Sequence, residues 1–118
     1  MYGLPPNFDT SVFVGKTLQM ICFNANQIYL HFASDLVLTI EGKFLHKKGA
    51  ADQLAQALAV PITTSDLMLL LERSVSIASG SEDGTLTLVF DNRHILKCFD
   101  DRQYESYRIK NGDEEIII

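Results

Sequence analysis

The side chains able to do chemistry are few and scattered. Three histidines, His31, His46 and His94, stand far apart, and none has the H-x-x-x-H or C-x-x-C partnership that gathers a metal ion. Two cysteines, Cys22 and Cys98, lie in the apolar stretches Ile21-Cys22-Phe23 and Leu96-Lys97-Cys98-Phe99. A thiolate nucleophile needs an activating base and partial exposure, so packed, reduced thiols are the plainer expectation, with the histidines on surfaces and turns. Gly80-Ser81-Glu82-Asp83-Gly84 has two glycines, but the acids between them repel phosphate, and Asp83-Gly84 suits the positive φ of a hairpin turn. The pairs Asp100/Asp101 and Glu114/Glu115 lack the alternating order of a calcium loop. A chain of 118 residues leaves little room for the sugar cleft that a pair of hydrolytic carboxylates would need. No catalytic, cofactor-binding or metal-binding residue is assigned, and the expectation is a protein that is not an enzyme.

The segment Asp100-Asp101-Arg102-Gln103-Tyr104-Glu105-Ser106-Tyr107-Arg108 is different in kind. It mixes acids, arginines and two tyrosines, and Tyr and Arg are the types enriched at binding hot spots. Asp100, Asp101, Arg102, Tyr104, Glu105 and Tyr107 are therefore the candidate partner-binding residues, with whichever tyrosine is exposed as the anchor. The competing reading is structural: one tyrosine in the core, the charges solvating an edge strand. Net charge is −5, and it is uneven: residues 1–81 carry six acids and five bases, residues 82–118 nine acids and five bases. Such a balance argues against direct nucleic-acid binding, which needs clustered Lys and Arg, and suits a basic protein as partner.

Glu82-Asp83-Gly84-Thr85-Leu86-Thr87-Leu88-Val89-Phe90-Asp91, then Asp100, Asp101 and Tyr104-Glu105-Ser106-Tyr107, resembles a functionally uncharacterised family of small bacterial proteins. That family has an E-D-G-T-L strand, a second hairpin strand and a Y-E-x-aromatic motif in the same order. Leu38-Thr39-Ile40-Glu41-Gly42 is similar to its L-x-I-E-G strand. The resemblance spans roughly residues 15–110; the family more often has Trp where Tyr107 stands and Gly where Asn92 stands. It brings no catalytic residues. In type it is similar to immunity proteins of contact-dependent inhibition and other polymorphic toxin systems. The resemblance thus implies a protein that neutralises a cognate toxin, such as a basic nuclease, by occlusion, with electrostatic complementarity speeding the encounter. The alternative is a small-ligand-binding or enzymatic domain with a pocket between sheet and helix.

The elements that would position these residues follow from periodicity. Leu18–Asn24, Gln27–Phe32 and Leu36–Glu41 alternate apolar and polar residues with short turns between, the signature of an antiparallel meander. Gly42–Gly49 reads as a strand end and loop. Ala51–Ala59 has helical composition ended by Pro61, and Thr64–Arg73, with Leu67, Leu70 and Leu71 on one face, reads as a stronger helix. Val75–Gly80, Thr85–Phe90, His94–Phe99, Tyr104–Ile109 and Glu115–Ile118 are further strands. Pro5 and Pro6 make residues 1–11 an extended arm. No internal repeat, linker or low-complexity tract stands out. The expectation is one α+β domain over 1–118, mostly antiparallel β in two sheets or one bent sheet, with one or two short helices packed on it. The N-terminus lacks a basic n-region and no stretch is long enough to span a membrane, so the cytoplasm is the expected location. The oligomeric state is left open.

Overall fold

The computed structural model describes residues 4–5, 8–60, 65–100 and 106–118. Within them, strands β1 (Leu18–Phe23), β2 (Ile28–Phe32) and β3 (Leu36–Ile40) form the expected meander. The chain then bends at Glu41-Gly42 into β4 (Lys43–Lys47) and reaches the two-residue β5 (Leu58–Ala59). After it come β6 (Val75–Gly80), β7 (Leu86–Phe90), β8 (Ile95–Cys98), β9 (Tyr107–Asn111) and β10 (Glu114–Ile117). One sheet has the order β1-β2-β3-β9-β10 and the other β5-β4-β8-β7-β6, all pairings antiparallel. The core lies between them, built from alternate residues such as Ile28, Leu30 and Phe32 of β2 and Leu86, Leu88 and Phe90 of β7.

Among the described residues helical structure is confined to two 3-10 turns, η1 (Thr10–Phe13) and η2 (Leu67–Leu70). The helix expected over Thr64–Arg73 is thus corrected, over its described residues 65–73, to a single turn, and Thr64 lies outside the described residues. Leu67 and Leu70, three residues apart, both reach the core in that one turn, because a 3-10 helix stacks i and i+3. Leu71 is extended and Glu72 has φ 65°, which ends the helix and turns Ser74 towards the first sheet. The helix expected over Ala51–Ala59 is also absent. Asp52 instead ties the loop, its carboxylate accepting from Lys48 N and Leu54 N at 3.0 Å each, and Leu58–Ala59 pairs with β4. Gly42–Gly49 contains a full strand where only a strand end was expected. Within 1–11, Leu4 and Phe8 pack on the core and Thr10 Oγ1 donates to Ala78 O at 3.1 Å.

The chain repeats itself. Each half runs 3-10 turn, three-strand meander, then a fourth strand, and details recur at matched places. Gly15 and Glu72 both have positive φ just before the first strand. β1 and β6 both carry a bulge against their partner, between Leu18 and Met20 and between Val75 and Ile77. Leu18 N donates to Arg73 O and Val75 N to Lys16 O; Gly15 N donates to Val75 O and Glu72 N to Leu18 O. These are reciprocal bonds, as across a two-fold axis. At that axis Thr17 bridges Ser74, 57 residues apart, with their hydroxyls 2.7 Å apart, and Phe32 stacks on Phe90. The fourth strands are exchanged: β4 pairs with β8 of the second half, and β9 with β3 of the first.

Candidate functional site

Two places depart from this internal symmetry. The first lies where the β6–β7 turn meets the end of β8. Tyr107, at the head of β9, matches Phe44 of β4, and both are buried. Tyr107 adds a hydroxyl, which donates to Gly84 O at 2.6 Å. Burial pushes its pKa up, and Cys98, Asp100 and Asp83 act in the same direction. Gly84 has φ 87°, and a Cβ there would lie 2.6 Å from Asp100 Oδ2, so glycine serves both the turn and this close approach. Both carboxylate oxygens of Asp100 are buried without a hydrogen-bond partner among the described residues. Glu82 and Asp83 are exposed on the turn above it, and Asp83, bonded to Ser81 Oγ and Thr85 N, has its carboxyl held below the usual range by those bonds.

Of the sequence candidates, Tyr107 is therefore a core residue and cannot be the anchor: its ring is wholly buried and its hydroxyl already committed. Asp100 is half-buried beside it. Asp101, Arg102, Tyr104 and Glu105 lie outside the described residues. Arg108 turns to the outer face of the first sheet and donates to Glu41 at 2.6 Å.

The second place is a cleft of about 340 Å³ beside β4, lined by residues including Phe44, His46, Lys48, Leu54, Leu58 and Asp66. Asp66 Oδ1 lies 3.0 Å from His46 Nδ1, and His46 Nε2 lies 3.0 Å from His94 Nδ1. Lys48 Nζ reaches Asp66 Oδ2 at 2.8 Å. The Lys48 bond is the main influence holding the Asp66 carboxyl below its ordinary range, with His46 acting in the same direction. Burial pulls the His46 pKa down, opposed by Asp66. The imidazole centroids are 5.1 Å apart, so with 3.0 Å between nitrogens the rings stand nearly end to end, one nitrogen facing the other. That is a hydrogen bond, not a chelate, in which lone pairs converge on a metal beside the line; among the described residues no group of three metal-ligating side chains is found.

Sequence reading placed these histidines on turns and surfaces because the local pattern cannot see that β4 pairs with β8. The third, His31, lies on the outer face of β2 stacked with Tyr29. Cys98 is buried, and desolvation pushes its thiol up to about 12, which suits packing rather than nucleophilic attack; Cys22 is half-buried, and both are free. No helix among the described residues is long and apolar enough to cross a membrane.

The chain belongs to a family of unknown function, DUF6188, whose profile matches residues 10–118. No curated protein and no solved structure matches it.

Proposed function

We propose that the protein is a binding protein of the immunity type, which occludes a basic protein toxin with the acidic end formed by the β6–β7 turn and Asp100. The observation that carries this reading is the Asp100 carboxylate, buried with no donor among the described residues. A buried carboxylate with no donor among the described residues is costly, and departures of this kind are expected at functional sites. A Lys or Arg from a partner docking on this end would add a charge-assisted hydrogen bond to it. Glu82 and Asp83 on the exposed turn would steer that cation inward, as rim charges do. The net −4 of residues 82–118 suits a basic partner in general.

The reading is tested by co-expression with a candidate basic toxin domain, scored as cell survival, together with association kinetics at two salt concentrations. Asp100→Asn keeps the side-chain shape and removes the charge. It should leave the free protein as stable or more stable, while weakening protection and speeding dissociation. Glu82→Lys with Asp83→Lys should slow association and flatten its salt dependence. Wild-type protection and unchanged rates in both variants would overturn the proposal.

A further inference from the structure

The internal two-fold relation gives the His46 cleft a built-in control. His46 and His94 occupy the places that Ile109 and Leu36 hold in the first sheet, since Leu38 pairs with Ile109 as Leu96 pairs with His46. Ile109 and Leu36 are both buried apolar residues. The frame therefore accepts aliphatic side chains at these positions and does not need histidine. Asp66 departs in the same way. Its counterpart Asp9 caps η1, accepting from Ser11 N at 3.0 Å, as helix-start carboxylates commonly do. Asp66 makes no cap bond to η2; Ser65 Oγ takes that task, accepting from Leu67 N at 3.0 Å, and Asp66 faces His46 instead. Three residues depart from the other half together, and the departures form one chain.

The protons in that chain can be placed. Asp66 is ionised and can only accept, so His46 Nδ1 carries a hydrogen. Neutral His46 then offers a lone pair at Nε2, and His94 Nδ1 must donate to it. His94 Nε2 is left as the basic end. A first proton arriving there makes His94 a cation without breaking any bond in the chain. A second proton has only His46 Nε2 to go to. It would set two N–H groups head to head at 3.0 Å and place two cations together, so this hydrogen bond fails. The charged groups around the pair are Asp66, which precedes η2, Lys48 after β4, and Asp52, whose carboxylate holds the Lys48 backbone. Lys48 opposes the second proton and Asp66 favours it.

We propose that Asp66–His46–His94 is a proton-operated latch, which ties together one wall of the cleft beside β4 at neutral pH and releases it when both imidazoles are protonated. His46, with its side chain 5% exposed, must then turn outwards. With it goes the tie between β4 and the residue that opens η2.

The sign follows from the direction at His46. A histidine whose pKa is lowered on folding contributes stability that is complete above its unfolded value of about 6.5 and is lost as pH falls through the folded value. The experiment combines imidazole ¹⁵N NMR titration with urea unfolding at pH 8 and pH 5. In the wild type, His46 and His94 should both be Nδ1–H tautomers at pH 8. They should titrate as a coupled pair in two steps. His46→Ile with His94→Leu installs the residues of the other half, and should remove the extra drop in urea midpoint between pH 8 and pH 5. His94→Asn guards against misfolding of the double variant, and should leave His46 titrating in one step. Asp66→Asn should release the His46 tautomer. If the two imidazoles titrate independently, or if His94→Asn keeps the wild-type two-step titration and pH dependence, the latch does not exist.

Discussion

The two halves of this chain are the same frame put to different use. In the first, the turn between β1 and β2 is neutral, Asn24 to Gln27, while its counterpart between β6 and β7 carries Glu82 and Asp83. In the first sheet the positions behind η1 are filled by Leu36 and Ile109; in the second, behind η2, they hold the histidine pair. Phe44 packs without a polar atom where Tyr107 anchors Gly84. The backbone and its apolar residues are shared, whereas the polar groups differ, and the histidine pair joins β4 of the first half to the second half. What recurs in both halves is thus assigned to folding, and what occurs once is the place to look for function.

That division can be broken by experiment. The largest effects should come from the shared core, and should be matched. Leu38→Ala and Leu96→Ala remove equivalent, fully buried side chains, and each should cost about 2–5 kcal/mol in urea unfolding. A strong imbalance, with one variant costing less than about 1 kcal/mol, would mean that the halves are not equivalent in energy. A smaller change is expected from Tyr107→Phe, which gives the second half the residue of the first. It strands the Gly84 carbonyl and should cost about 1–3 kcal/mol; no loss would show that the hydroxyl bond is incidental. The smallest effect belongs to the axis. Thr17→Ala and Ser74→Ala, combined in a double-mutant cycle, should show a coupling of about 0.5–1.5 kcal/mol, and additive effects would remove the hydroxyl pair from the account.

The sequence revealed the strands better than their partners. Alternation in Ile28–Phe32 and Leu86–Phe90 located those strands to within a residue, because each has one face in the core and one outside. It misled at Leu67–Leu70, where a leucine cluster that looks helical serves one 3-10 turn. The repeat was present but faint. Lys16-Thr17-Leu18 and Arg73-Ser74-Val75 match only by type, and they align once their reciprocal hydrogen bonds are known. The histidine chain had no local signature, since His46 and His94 stand 48 residues apart and meet only through the β4–β8 pairing. Pairing register is a tertiary property, and no spacing rule along the chain encodes it.

The exchange of fourth strands also governs how the chain must assemble. Thr39 waits for Arg108 and Leu45 for Lys97, so neither sheet can be completed until the strands of the second half have been made. Folding dominated by such distant pairings takes roughly milliseconds to seconds. Synthesis at ~5–20 residues/s leaves β3 and β4 without their partners for on the order of several seconds. During that interval they are open edges, which invite pairing with another nascent chain. Lys43, Lys47 and Lys48 at the two ends of β4 are the kind of charge that discourages such pairing. Those lysines would therefore guard β4 in the growing chain before its partner strand has been made.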